Sequence, residues 1–125
     1  MEGVKTYFFD TYAFFELIEG NPRYNPYSKG IAIITTRLNL MELHYGLLLK
    51  YGKETADDYY HKLMKFSVDI DDDTIIAANM FRAELKKSDL SYVDCIGYTL
   101  AKSRNAKFLT GDKEFEQLEN VEFVK

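Results

Sequence analysis

The sequence predicts an α/β fold, a three-layer α/β/α sandwich on a mostly parallel five-stranded sheet, in a single domain over residues 1–125. Three observations carry that expectation. Short apolar runs alternate with stretches of helical spacing along the whole chain, the pattern of strands joined by crossover helices. The first of these runs is aromatic and bounded by polar residues, which suits a buried central strand. Finally, 125 residues can bury one substantial core but little of a second, and no internal repeat or low-complexity segment divides them.

Taken in order, Val4 to Phe9 is the first strand. Thr11 to Glu19 has helical spacing, with Ala13, Phe14, Leu17 and Ile18 on one side, and Gly20-Asn21-Pro22 ends it. Residues 21–30 hold both prolines, Gly30 and two tyrosines and read as a loop or irregular helical turn. Ile31 to Ile34 is a second buried strand, after which Thr35 or Thr36 caps a helix running to about Tyr51. Gly52-Lys53 breaks the pattern. Residues 54–66 form another helix, with Tyr59, Tyr60, Leu63 and Phe66 on its apolar side, and Ser67 to Ile70 make a short third strand. Asp71-Asp72-Asp73 stands where a following helix dipole favours negative charge, so these acids are read as capping, and that helix ends near Lys86-Lys87. Ser91 to Arg104 is the next helix, Ala106 to Leu109 a fourth strand, Lys113 to Leu118 a short helix and Val121 to Val124 a fifth strand.

Composition narrows the function classes. A hydrophobic fraction of 46% is ordinary for a globular protein, and no apolar stretch approaches the roughly 20 residues a membrane span needs. The first residues do not read as a signal peptide, so a cytoplasmic location is expected. Cys95 is the only cysteine; an intrachain disulfide and a cysteine-based zinc site are excluded, and Cys95 reads as a core filler. The net charge of −4 disfavours tight nucleic-acid binding through bulk electrostatics. Bound metal ions would reverse the potential locally, so a nuclease stays open.

Four acids carry the chemistry. Three share a local pattern of apolar run, acid and helix: Asp10 after Tyr7-Phe8-Phe9, Asp94 three residues into the helix opened by Ser91, and Asp112 after Lys107 to Gly111. Strand ends in a parallel sheet share one edge, so these carboxylates can converge. Each has a plain alternative: Asp10 and Asp112 as helix N-caps, and Asp94 as the acid of a Ser91-Tyr92-Val93-Asp94 capping box. Glu42 is harder to set aside. Leu40, Leu43, Leu47 and Tyr51 make one core stripe of its helix, while Glu42 shares the other side with Leu38, Leu49 and Gly46. A helix apolar on both sides is buried, and a Glu there needs a partner, either a basic residue or a metal. Gly46 allows a close approach, by a substrate or by packing. Converged carboxylates repel unless a cation lies between them, and hard divalent metals take such oxygens. Jointly, the four acids predict a two-metal site for in-line hydrolysis of phosphodiesters.

With those residues in view, the chain resembles the PIN-domain ribonucleases, and within them the VapC-type toxins of toxin-antitoxin pairs. The resemblance rests on Phe8-Phe9-Asp10-Thr11-Tyr12-Ala13, Asn39 to Gly46 around Glu42, Leu90 to Ile96 around Asp94, and Phe108 to Phe115 around Asp112. It covers essentially the whole chain; Cys95, Gly97 and the very aromatic first motif depart from the usual pattern. It implies an endoribonuclease dependent on Mg2+ or Mn2+, forming a homodimer or higher homo-oligomer and held inactive by an antitoxin protein. Carried over, Asp10, Glu42, Asp94 and Asp112 are the metal ligands and catalytic residues, and Thr11 and Thr110 are hydroxyls that orient carboxylates or water. Arg37 and Lys113, basic residues near the acidic motifs, are read as contacts to substrate phosphates.

Rivals need residues that are missing. A phospho-acceptor receiver module needs an Asp ending a central strand mid-chain, but Asp57 and Asp58 lie in a helical segment. A phosphatase of the haloacid dehalogenase type needs a second Asp two residues after Asp10, where Tyr12 stands. An RNA-processing enzyme without an antitoxin, or a PIN-like binding module without turnover, remain as alternatives. His44 and His61, and the ten tyrosines, are assigned to surface, packing and interface roles.

Overall fold

The aromatic run near the start of the chain becomes the strand with neighbours on both sides. In the computed structural model, which describes residues 3–85 and 89–125, β1 (Thr6–Phe9) pairs in parallel with β2 (Ala32–Ile34) and with β3 (Lys107–Thr110). β4 (Val121–Phe123) lies beyond β3, also parallel, giving the order β2-β1-β3-β4. Phe8 and Phe9 are wholly buried because helices cover both faces of the sheet.

Side-chain alternation divides the interior into two cores. Tyr7, Phe9 and Leu109 face a cluster formed with α1 (Thr11–Ile18), α2 (Arg37–Tyr51) and α3 (Lys53–Leu63). Phe8 and Phe108 face the other way, into a cluster with α4 (Asp72–Glu84) and α5 (Tyr92–Ser103). Cys95 is one of the buried fillers there. Three layers follow, as expected. Tyr24, fully buried in the proline-containing 3₁₀ turn Pro22–Tyr27, donates its hydroxyl to Val124 O at 2.7 Å and so ties that turn to the end of β4.

Helix starts follow the cap chemistry. Asp10, Thr36, Asp71 and Ser91 each accept a hydrogen bond from a first-turn N–H of the helix that follows. The acidic triplet is therefore a cap: Asp71 accepts from Thr74 N at 2.8 Å, with Asp72 and Asp73 in the first turn. Of the two threonines, Thr36 is the cap, because Thr35 donates its hydroxyl to Phe9 O at 2.9 Å.

Some expectations are corrected. Among the described residues the sheet has four strands, not five: Ser67 to Ile70 forms only an isolated bridge between Ser67 and Thr35. After that bridge the chain turns into the Asp71 cap, leaving no length for a strand. Lys113 to Leu118 shortens to a 3₁₀ turn, Lys113–Phe115. α2 is buried on only part of its circumference: α1 covers the side of Glu42 and Gly46, but Leu49, expected on that side, is 70% exposed, and Tyr51, expected in the core stripe, is 47% exposed. Gly46 serves packing, since a Cβ there would stand 2.3 Å from the Phe15 ring. The expected end of α4 near Lys86-Lys87 lies outside the described residues. No helix among the described residues is long and apolar enough to cross a membrane.

Candidate active site

The chain leaves β1 toward β2 on one side, and after α5 returns to β3 on the other. The order therefore reverses between β1 and β3, and in open parallel sheets ligands bind at the carboxyl edge of such a switch point. Asp10 directly follows β1, and Asp112 follows β3 by two residues. Phe9 stands opposite Leu109, and Asp10 N donates to Leu109 O at 3.3 Å, so both carboxylates leave the sheet side by side.

Asp10 is 4% exposed. Burial first, then the charges of Asp94 and Asp112, push its carboxyl up to about 7, against hydrogen bonds from the Thr110 hydroxyl and Ala13 N. The Ala13 bond, 2.8 Å long, is the α1 cap. Thr110, fully buried, also accepts from Asp112 N at 3.0 Å, so one hydroxyl links Asp10 to the backbone of Asp112.

Glu42 enters from α2. Its carboxyl is raised above the ordinary glutamate value by burial and, less, by Asp94, while a hydrogen bond from Thr11 opposes the rise. The Thr11 hydroxyl donates to Glu42 Oε1 at 2.7 Å. No ion pair holds Glu42 among the described residues, so the basic partner that would have explained it is not there.

Asp94 does not end a strand. It is the third residue of α5 and completes the capping box: Ser91 N donates to Asp94 Oδ2 at 3.0 Å, and Asp94 N donates to Ser91 Oγ at 3.1 Å. Burial and the charge of Asp112 nevertheless raise its carboxyl, overriding those bonds. Asp112 is likewise a cap, accepting from Glu114 N at 3.0 Å. Arg37 and Lys113 are exposed first residues of the elements after Thr36 and Asp112, on the same sheet edge as the acids.

The four carboxylates are thus linked electrostatically: Asp10 with Asp94 and Asp112, Asp94 with Asp112, and Glu42 with Asp94. Among the described residues, no three His, Cys, Asp or Glu stand close enough together to grip a metal ion. Each Asp instead has an oxygen drawn to its own cap. In kind, though not in the spacing seen here, hard carboxylate oxygens with no ion pair to any of the four acids among the described residues suit a hard divalent cation.

Asn39 was missed as a site residue. It is 2% exposed and one helical turn before Glu42, and its amide Nδ2 donates to Thr11 Oγ1 at 3.3 Å. A polar residue three positions before an acid, on the same helix face, was the available signal.

A parallel α/β sheet with acids gathered at its switch point defines a class, and a comparison with family models gives it a name. The model described as PIN domain matches residues 7–121, and the chain belongs to the PIN-domain family. Solved structures share the fold. A toxin-antitoxin complex from Klebsiella pneumoniae matches with a TM-score of 0.74 at 19% identity, over 93% of this chain and 95% of that one. VapBC2 from Rickettsia felis, bound to a DNA fragment from its promoter, matches with 0.74 at 22% identity, over 95% and 97%. VapC20 from Mycobacterium tuberculosis, described as a sarcin-ricin loop cleaving toxin, matches with 0.72 at 19% identity, over 94% and 95%. Among curated proteins, none matches the chain closely enough to count as a relative.

Proposed function

We propose that this protein is a cytoplasmic, divalent-metal-dependent endoribonuclease, the toxin of a toxin-antitoxin pair, working as a homodimer or higher homo-oligomer with an antitoxin as its protein partner. One observation carries the reading: Asp10, Glu42 and Asp94 all have carboxyls raised by burial and by neighbouring acids, at the ligand-binding edge of the sheet. The toxin part is supported by the fold shared with toxins of toxin-antitoxin complexes, one of them described as cleaving the sarcin-ricin loop.

Asp10, Glu42, Asp94 and Asp112 would hold Mg2+ or Mn2+, which when bound supplies a polarised water as nucleophile and charge neutralisation at the phosphate. The chain's own residues do the positioning. Thr11 holds one oxygen of Glu42, and Thr110 joins Asp10 to the Asp112 backbone. Caps fix an oxygen of each Asp, leaving the rest of the carboxylate for the site. Arg37 and Lys113, both exposed, would take phosphates of the RNA.

The test is Asp94→Asn, assayed on single-stranded RNA with Mn2+. Asn keeps the size and an oxygen to accept from Ser91 N, but loses the charge. Cleavage should vanish while the melting temperature holds or rises. Retained cleavage with a stability loss of up to about 1 kcal/mol would reduce Asp94 to its capping box. A wild type inert on every RNA offered, with either metal, would favour a binding module.

A further inference from the structure

Glu42 stands at the end of a chain of hydrogen bonds. The Thr36 hydroxyl donates to Asn39 Oδ1 at 2.6 Å, and Asn39 Nδ2 donates to Thr11 Oγ1 at 3.3 Å. The Thr11 hydroxyl then donates to Glu42 Oε1 at 2.7 Å. All these donors point one way, from the start of α2 through α1 to the carboxylate. Thr36 and Asn39 are buried, 0% and 2% exposed, and water does not substitute readily for either.

We infer that Asn39 is a positioning residue: by filling the acceptor side of Thr11 Oγ1, its amide commits the Thr11 proton to Glu42 and holds that carboxylate in one orientation toward a divalent cation. Thr11 has a competing acceptor, the backbone carbonyl of Asn39 at 3.4 Å. A hydroxyl rotor with two acceptors is undetermined; an incoming N–H on its lone pair restricts where its own hydrogen points. Donors in series also polarise one another, which strengthens the last bond to the charged group. The device spans two elements, since Thr11 opens α1 while Asn39 and Glu42 sit on one face of α2. This assignment rests on the proposed reading of Glu42 as a metal-facing carboxylate.

Asn39 has a plain structural use as well, since its N–H donates to the capping Thr36 Oγ1 at 3.2 Å. That bond is made by the backbone and survives substitution of the side chain. The two roles separate in Mn2+ affinity, measured by calorimetry on the full chain without RNA. Variants are Asn39→Leu, Thr11→Val, both together, Thr11→Ser and Glu42→Gln. Asn39→Leu and Thr11→Val should each weaken Mn2+ binding about tenfold or more, the usual scale for groups that orient ligands. Thr11→Ser should bind as wild type. Because Asn39 acts through Thr11, the double variant should bind no more weakly than Thr11→Val. Two results overturn the inference: wild-type affinity in a folded Asn39→Leu protein, or losses that multiply in the double variant. Should Asn39→Leu not fold, the Asn39 side-chain amide resonances decide. They should shift on adding Mg2+ to the wild type and stay put in Thr11→Val, and unmoved wild-type resonances overturn the inference. If Glu42→Gln leaves Mn2+ affinity unchanged, the metal reading itself fails, and the role of Asn39 falls with it.

Discussion

At Asp10, Asp94 and Asp112 the carboxylate that caps a helix is also the one that confronts other acids. The two uses are compatible because a cap occupies one oxygen, and because an N–H at a helix start favours negative charge there. Sequence reasoning set them against each other, since spacing locates a cap but gives no distance between caps. The tertiary fact that joins them is the β1–β3 pairing, a contact across about a hundred residues that local pattern does not encode. A pH prediction follows at this scale. The Asp10 carboxyl is raised from 3.8 to about 7 in the folded chain. The folded state therefore binds the proton more tightly than the unfolded state, and stability is lost as pH rises from about 4 through about 7. The rises at Glu42 and Asp94 have the same sign. Metal-free protein should unfold at a higher temperature at pH 5.5 than at pH 8, and Asp10→Asn should flatten the profile, as calorimetry on EDTA-treated protein can check. The ceiling for Asp10 is on the order of 4 kcal/mol. Equal melting temperatures for the wild type at both pH values would contradict the burial of a strained carboxyl.

Elements were legible where a cap or breaker announces them. Asp71, Ser91 and Gly52 mark helix ends that a reader can find, because side chain and backbone settle those hydrogen bonds within a few residues. Ser67 to Ile70 misled because its composition suits a strand while, among the described residues, its pairing is confined to Thr35, through Thr35 N to Phe66 O and Val68 N to Thr35 O, both 2.9 Å. Leu49 and Tyr51 at the end of α2 misled in the other direction, since hydrophobic residues on a surface are common and burial cannot be inferred from them. Close approaches between elements escape sequence altogether. A Cβ on Gly111 would stand 2.4 Å from Val124 O and 2.3 Å from the Tyr12 ring, and a backbone carbonyl at the end of β4 cannot swing aside. Gly111→Ala should therefore cost about 1–3 kcal/mol. Gly46→Ala meets only the far end of the half-buried Phe15 ring and gains roughly 1 kcal/mol of helix propensity. The ordering of the two in denaturant midpoint, Gly111→Ala well below Gly46→Ala, is the check; a reversed order would mean the carbonyl yields more easily than the ring.

For the whole molecule, the proposed function asks a chain of net charge −4 to bind a polyanion. Bulk electrostatics oppose that encounter, so attraction has to be made locally, at the sheet edge where the acids gather and Arg37 and Lys113 begin their elements. A divalent cation there would do two things at once: reverse the local potential and relieve the repulsion among carboxylates that the fold holds together. Binding to the folded state alone stabilises by about 2.7 kcal/mol when free metal is one hundred times its Kd. For a domain of this size, about 4 °C per kcal/mol makes that roughly a 10 °C rise in melting temperature. The rise should depend on pH with a definite sign. Metal ligation needs ionised carboxylates, so at pH 6, below the raised Asp10 value of about 7, part of the binding energy goes to removing a proton. Mn2+ titrated into metal-free protein should thus raise the melting temperature more at pH 8 than at pH 6. Asp10→Asn should raise the metal-free melting temperature at pH 8 and abolish most of the response. A metal response that is absent, or equal at both pH values and unchanged in Asp10→Asn, would place any bound ion away from these four acids and return them to helix capping.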